Sequence, residues 1–195
     1  DEFGPLCVNL DLAILAMCDS KLPKVAILPT AAAQERPDLA AGNGVRHFSN
    51  LGADSFSINI LTHDEAQNSD TASQLEGTDL IYMTGGNPRH LRDVLDNSLF
   101  LKEMLKASYA GCVVAGSSAG AMVMGSQMLM RHPTYALNMV SRTITIPHHE
   151  SRDPSSTHSQ LEPLLKSGST VFGIDGATGL LLEGQKLSVQ GSGTV

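Results

Sequence analysis

The sequence lacks an excess of positive charge and any long apolar run. Lysine and arginine together number 13 against 20 acidic residues, and the formal net charge is −7. Nucleic-acid backbones bind basic faces, so this balance argues against a nucleic-acid partner. No apolar run approaches the ~20 residues that a membrane helix needs, and no secretory signal is visible. We therefore expect a cytoplasmic protein without a nucleic-acid or membrane partner.

The chain has too few cysteines to be stabilised by a set of disulfide bonds. There are three cysteines, so they cannot all pair with one another. Cys7 and Cys18 lie on one predicted helix, where a rise of 1.5 Å per residue separates them by roughly 16 Å, too far for a disulfide. Cys112 lies in an apolar run that reads as a buried strand. Reduced cysteines in a cytoplasmic protein are the simplest interpretation.

What the chain does contain is enough apolar material for one core, arranged as alternating strands and helices. Its 195 residues are 42% hydrophobic, which predicts a single domain over residues 1–195. Short continuous apolar runs are typical of strands covered on both faces. The predicted strands are 25–28, 55–61, 80–83, 112–115, 143–146 and 171–174. The predicted helices are 5–20, 34–51, 64–75, 88–96, 99–108 and 156–166.

This alternation predicts an α/β fold of three layers, with a mostly parallel sheet and helices on both faces. Residues 179–189 predict an antiparallel C-terminal hairpin that turns at 183–186. Sites in parallel sheets form where strands end at their carboxyl edge. Three segments of unusual composition fall there: 84–88, 116–120 and 147–150.

The second of these segments reads Gly-Ser-Ser-Ala-Gly between a predicted strand and a predicted helix. A serine at the tip of such an elbow is exposed and rigidly held, and the first amides of the helix point to where an oxyanion would form. Ser118 occupies the tip, whereas Ser117 occupies the second position and is the weaker candidate. The alternative is an ordinary strand-to-helix turn that contains serines.

The other two segments could complete an acyl-transfer site. His148 and His149 follow a strand and could reach a neighbouring strand end as a base, although a lone histidine is more often a surface residue. Gly85 and Gly86 would let the backbone approach a ligand closely. The alternative for them is a plain turn capped by the following Asn-Pro pair.

Taken together, these residues resemble a known family. Gly85-Gly86-Asn87, the run Gly-Ser-Ser-Ala-Gly-Ala at 116–121 and Pro147-His148 occur in the order and spacing of the serine peptidases that include dipeptidase E and cyanophycinase. The resemblance covers essentially the whole chain, including residues 1–3, which look like the end of a glycine-rich loop. It implies the class I glutamine amidotransferase-like fold with a flavodoxin-like sheet, in which serine replaces the amidotransferase cysteine.

The resemblance also implies roles for individual residues. Ser118 matches the nucleophile and His148 the catalytic histidine, while the amides of Gly86 and Ala119 match the oxyanion donors. The implied reaction is hydrolysis of short peptides beside an aspartyl residue, through an acyl-enzyme. The expected partner is a small peptide substrate, and self-association into a homo-oligomer is common in the family. No cofactor or metal is implied.

One feature departs from dipeptidase E, in which an aspartate lies between the nucleophile and the histidine. No Asp or Glu occurs between Ala119 and Pro147 here. Candidates to orient His148 instead are Glu150, Asp153 and the neutral Asn138 or Gln127. The missing acid leaves open a catalytically silent module that binds a small ligand or partner. A hydrolase for another acyl substrate, such as a β-aspartyl polymer or an ester, is a third interpretation.

Substrate carboxylates are usually bound by cations. Five arginines lie near the site segments and are candidates for that role: Arg89, Arg92, Arg131, Arg142 and Arg152. The histidines at 148, 149 and 158, with Asp153, show no recognised zinc spacing, so no metal site is expected.

Overall fold

The chain is described by a computed structural model that covers residues 2–131, 134–166 and 168–195, with five side chains also outside the described part: Pro154, Ser156, His158, Pro163 and Lys166. Asp1, part of the 1–3 segment noted above, lies outside it as well. Four parallel strands form the central sheet. They are β1 Lys24–Leu28, β2 Asp54–Ser57, β3 Leu80–Met83 and β4 Val113–Gly116, in the order β2-β1-β3-β4.

Helices cover both faces of this sheet. The elements in chain order are α1 Val8–Leu15 after a short 3₁₀ turn, α2 Pro37–Asn50, α3 His63–Ala66, α4 Ser69–Ser73, α5 Pro88–Leu95, α6 Leu99–Tyr109 and α7 Ala119–Met124. Alternate residues of β1 enter two separate apolar clusters. Val25 and Ile27 pack with Phe48 of α2, whereas Ala26 and Leu28 share a cluster with Phe100 of α6. A parallel strand buried on both sides needs apolar residues at every position, as this sequence has.

The second part of the chain is built from smaller sheets. β5 Gln127–Met128 and β6 Thr134–Tyr135 form a short antiparallel pair. β7 Thr143–Pro147 and β8 Thr170–Ile174 pair in parallel with each other, with α8 Pro154–Lys166 between them in the chain. β9 Thr178–Glu183 and β10 Lys186–Gly191 form an antiparallel hairpin. Because α7 packs against β3, β4 and β7, the carboxyl ends of β4 and β7 come together.

The turn after β3 is held in place by the N-terminal cap of the helix that follows it. The Asn87 side chain accepts hydrogen bonds from the amides of Arg89 and His90, both at 3.1 Å. Pro88 follows as the first residue of α5, where its missing N–H costs nothing. This cap fixes where α5 begins and therefore how the Gly85–Gly86 turn leaves the sheet.

The fold class predicted from the sequence is confirmed, including the mostly parallel sheet and the C-terminal hairpin. The predicted strand 55–61 is too long, since β2 ends at Ser57. Among the described residues β2 pairs with β1, which stops at Leu28 before Pro29. The last bond between them runs from the Ile58 amide to the carbonyl of Ile27, so the ladder ends there. Ile58 and Ile60 are nevertheless buried, and their alternation reflects core packing of a loop. The predicted helix 64–75 is two short helices, because Asn68 caps α4 and interrupts the run.

Candidate active site

Ser118 lies at the elbow between β4 and α7 in a strained conformation. Its φ of 47° and ψ of −104° belong to a region that side chains rarely adopt, and such strain is typical of functional turns. Two glycines make the turn possible. A Cβ on Gly116 would collide with the backbone of Gly120, and a Cβ on Gly120 would collide with the carbonyl of Met83. The elbow is therefore held by contacts that only glycine permits.

The structure places His148 beside this serine. Nε2 of His148 lies 3.3 Å from Oγ of Ser118, across 30 residues of sequence. His148 directly follows β7 and has left-handed backbone angles, φ 55° and ψ 40°. Its carbonyl accepts hydrogen bonds from both the amide and the hydroxyl of Ser151, at 3.1 and 2.8 Å. His149 points elsewhere, with Nδ1 4.0 Å from Oδ1 of Asp175.

Two backbone amides are available next to Ser118. The position of a Cβ on Gly85 lies 3.4 Å from the Ser118 Cβ, which puts the turn after β3 against the elbow. Gly86 has a φ of 138°, and a side chain there would strike the carbonyl of Ala31. Within the described residues, the amides of Gly86 and Ala119 donate no backbone hydrogen bond, whereas their neighbours Asn87 and Gly120 do. Both free amides belong to segments that flank Ser118.

A third member that would orient His148 is not evident at its other ring nitrogen. Across residues 2–131, 134–166 and 168–195, the hydrogen bond of the ring is the one between Nε2 and the Ser118 hydroxyl. Glu150 turns away, since its Oε2 accepts the amide of Gly176 at 3.0 Å. Asn138 is exposed after β6, and its amide donates to Gly125. The carbonyl of Asp153 accepts from Thr157 in the first turn of α8.

Two acidic residues near the site were not singled out from the sequence. Asp175 follows β8 directly, and its Oδ2 accepts hydrogen bonds from the hydroxyl and amide of Thr194 at 2.8 and 2.9 Å. Those bonds hold the pKa of Asp175 below its usual value. Its position just after a strand at the carboxyl edge was the available signal. Glu2 had no such signal, because its partner Gly85 is 83 residues away.

Glu2 is a partly buried acid that hydrogen-bonds to the turn at Gly85. Both of its carboxylate oxygens lie 3.1 Å from the amide of Gly85, and the Ser117 hydroxyl also hydrogen-bonds to it. Burial raises the pKa of Glu2 to about 7, more than these hydrogen bonds lower it. Tyr82, fully enclosed nearby, also has a pKa well above its usual value because of burial.

The arginines differ in how free they are to bind substrate. Arg92 forms an ion pair with Asp93 at 2.6 Å, and Arg142 donates to the carbonyl of Gly168 at 3.0 Å. Arg89 is exposed in the first turn of α5, three residues after Gly86. Among described residues, Arg89, Arg131 and Arg152 form no ion pair with a carboxylate. Arg89 is therefore a free cation adjacent to the candidate oxyanion turn.

No metal or membrane feature accompanies the site in the part of the chain that the structure describes. No three His, Cys, Asp or Glu side chains there converge in a way that could hold a metal ion. None of the helices in the same residues is both long and apolar enough to cross a membrane. Cys7, Cys18 and Cys112, all of which lie among the described residues, form no disulfide bond there.

A serine on a strand-to-helix elbow, within reach of a histidine on a neighbouring strand end, is the arrangement of α/β hydrolytic enzymes. The profile of peptidase family S51 matches residues 6–190 of the chain. The chain belongs to peptidase family S51, as the resemblance of its motifs predicted.

Individual relatives agree with this assignment. Cyanophycinases from Trichormus variabilis and from a Nostoc species are each 29% identical to the chain over 107 residues, which is 54% of this chain and 35% of each relative. The match thus spans about a third of the cyanophycinases' length.

Solved structures extend the likeness to the fold. The crystal structure of a peptidase from an acI-B1 actinobacterium superimposes with a TM-score of 0.86 at 25% identity, over 98% of this chain and 84% of that one. A putative peptidase E protein from Listeria monocytogenes EGD-e gives a TM-score of 0.68 at 21% identity, over 93% of each chain. At that lower identity the second likeness concerns the fold alone.

Proposed function

We propose that the chain is a serine peptidase that hydrolyses short peptides, with Ser118 as nucleophile and His148 as general base. The observation that carries this proposal is the 3.3 Å separation between Ser118 Oγ and His148 Nε2 at a strained elbow. Membership of peptidase family S51 supports the same reaction class. A nucleophile and base within hydrogen-bond reach form the minimal unit for acyl transfer.

The steps follow from this geometry. Ser118 Oγ attacks the scissile carbonyl carbon while His148 Nε2 takes the hydroxyl proton. The carbonyl oxygen gains negative charge and accepts hydrogen bonds from the free amides of Gly86 and Ala119. These amides are already in position before the reaction begins. His148 then returns its proton to the leaving amine. A water molecule, activated by the same imidazole, releases the acyl group and restores the serine.

The orientation of His148 depends on its backbone. Its left-handed conformation and the two bonds from Ser151 to its carbonyl hold the residue at the end of β7. In chymotrypsin, exchanging the triad aspartate for asparagine lowers turnover about 10⁴-fold. An enzyme that orients its imidazole without a carboxylate is therefore expected to be slow relative to a full triad.

The proposed substrate is a short peptide cleaved beside an aspartyl residue. The exposed Arg89 lies next to the oxyanion turn and offers a cation for the carboxylate of such a substrate. The relatives named cyanophycinase make a β-aspartyl polymer the second substrate class to examine.

One observation favours a different function. The described residues supply no hydrogen-bond partner for the second ring nitrogen of His148, which suits a module that binds a peptide or protein partner without turning it over. Such a module would bind its ligand equally well with Ser118 replaced by alanine.

Hydrolysis of an Asp-X dipeptide panel, with β-aspartyl dipeptides alongside, separates these functions. We expect release of free aspartate by the unaltered chain, no release by Ser118→Ala and normal release by Ser108→Ala, an exposed serine on α6 that serves as the matched control. Turnover that survives in Ser118→Ala, or none at all in a folded unaltered chain, contradicts the peptidase proposal. Ligand binding without turnover then favours the silent module.

A further inference from the structure

Glu2 is a partly buried carboxylate beside the elbow that the steps above do not use. The position of a Cβ on Gly85 lies 3.3 Å from Glu2 Oε2 and 3.4 Å from the Ser118 Cβ. Glu2 and the nucleophile therefore flank the same glycine, close enough for a charge on one to be felt at the other.

We propose that Glu2 is a positioning residue for the oxyanion hole, and that it must carry a proton while the acyl group is transferred. This inference rests on the proposed function of Ser118. Glu2 acts through Gly85, and it does not itself touch the substrate.

The positioning follows from which amides are occupied. The Gly85 N–H is held by both oxygens of Glu2, so it is not available to a substrate. On the other side of the turn, the Asn87 N–H donates to the carbonyl of Ala31 at 2.7 Å. Between these two fixed amides, Gly86 has the positive φ that only glycine adopts without strain, and its N–H is the one left free. Glu2 thereby contributes to where that free N–H points.

The need for a proton follows from charge. A tetrahedral intermediate places negative charge next to the turn, and an ionised Glu2 would repel it across Gly85. The carbonyl oxygen of a protonated Glu2 accepts the hydrogen bond from the Gly85 amide, and its hydroxyl remains available to hydrogen-bond with Ser117. The protonated side chain carries no charge that would oppose the oxyanion.

Burial and, to a smaller extent, the charge of Asp11 favour the protonated form of Glu2 near neutrality. Asp11 of α1 pairs with His47 of α2 at 2.7 Å. The remaining titratable or charged neighbours are Cys7 before α1, Tyr82 on β3 and Arg46, which lines the same small cleft. Beyond Ser118 stands His148. Burial raises the pKa of Glu2 to about 7, so its proton is lost just above neutral pH.

The test is the rate at which a fluorophosphonate probe labels Ser118, measured from about pH 5 to about pH 9. In this reaction the Ser118 oxygen bonds to phosphorus, the phosphorus–fluorine bond breaks, fluoride departs and the serine proton passes to His148. The phosphoryl oxygen occupies the same oxyanion site as a peptide carbonyl. Labelling needs no knowledge of the natural substrate.

For the unaltered chain we expect the labelling rate to fall about tenfold above about pH 7 as Glu2 ionises. In Glu2→Gln, an uncharged acceptor keeps the Gly85 contact, so this fall should disappear. The matched control, Glu76→Gln, alters an exposed acid near the start of β1, at the opposite edge of the sheet, and should reproduce the unaltered profile.

Three results would overturn the inference. The first is a Glu2→Gln profile identical to that of the unaltered chain while Ser118 still labels. The second is a folded Glu2→Gln chain that does not label at any pH, since an uncharged acceptor should suffice. The third is an unaltered profile with no fall above pH 7, which decides the matter even if the variant does not fold. If Ser118 never labels in the unaltered chain, the proposed function fails first and takes this inference with it.

Discussion

The two halves of the candidate site come from regions that are built differently. Ser118 stands on the four-stranded sheet, whose strands β1 and β3 are almost fully buried and whose elbow is locked by glycine contacts. His148 stands at the end of β7, in the smaller β7–β8 pair, and is exposed. The nucleophile is thus held by many packed atoms, whereas the base is held by its own backbone and one serine. Substitutions in the four-stranded sheet and its elbow should therefore lower both the stability and the activity of the chain. Substitutions at His148 should lower the activity alone.

The largest expected effect tests the exposed region. His148→Ala removes the base, so we expect hydrolysis of a responsive dipeptide to fall about a thousandfold with little change in melting temperature. His149→Ala is the matched control, because the neighbouring ring points to Asp175 and not to Ser118. Equal losses in the two variants would show that His148 is not the specific partner of the serine.

A substitution in the packed elbow after β4 should lower the stability of the fold. Gly120→Ala puts a methyl group into the carbonyl of Met83, which must move together with α7. We expect a loss of about 3 kcal/mol in the free energy of unfolding, measured by urea denaturation. Gly42→Ala is the control, because the position lies in α2 with nothing within 4 Å of the new atom. Alanine there should stabilise the chain by about 0.5 kcal/mol. A Gly120→Ala chain as stable as the control would mean that the elbow has room for a methyl group at this position.

Glu2 makes the stability of the first region depend on pH. Its pKa is raised from 4.5 to about 7 on folding, so the native state binds its proton more tightly than the unfolded state. This contribution is fully present below about pH 4.5 and is lost as pH rises through 7. Glu2→Gln should therefore be about 2 to 3 kcal/mol more stable than the unaltered chain at pH 8, relative to their difference at pH 4.5. Urea denaturation at both pH values measures this, and a pH-independent difference would contradict it.

The smallest effect concerns which region binds the substrate carboxylate. Arg89→Gln should raise KM for a dipeptide about fivefold and leave kcat nearly unchanged, since a lost exposed contact costs about 1 kcal/mol. Arg152→Gln tests the other region, beyond His148, and should change KM less. If Arg152→Gln has the larger effect, the carboxylate is bound on the side of the base.

How well the sequence predicted these regions follows from how local their determinants are. The strand at 80–83 was predicted with the observed bounds, because a continuous apolar run between turn residues leaves little choice. The strand at 55–61 was predicted too long, since its end depends on where its partner β1 stops. Alternate residues of the loop that follows β2 are buried, and this alternation resembles the pattern of a strand.

The same distinction applies to the site. Ser118, His148 and the Gly85–Gly86 pair belong to short motifs at strand ends, so they could be selected from the sequence. The structure places His148 and Gly85 beside Ser118. The bond between Glu2 and Gly85 joins residues far apart in the chain, and no local pattern announces it. The position of Glu150 depended on a loop contact with Gly176 that only the folded chain shows.

The central claim is that Ser118 and His148 act as nucleophile and base. Mass-spectrometric mapping of the folded chain after fluorophosphonate treatment tests it most directly. The account predicts one modified residue, Ser118, and loss of that modification in His148→Ala but not in His149→Ala. A folded chain that stays unmodified, or one that is modified at Ser117 or elsewhere, would contradict it.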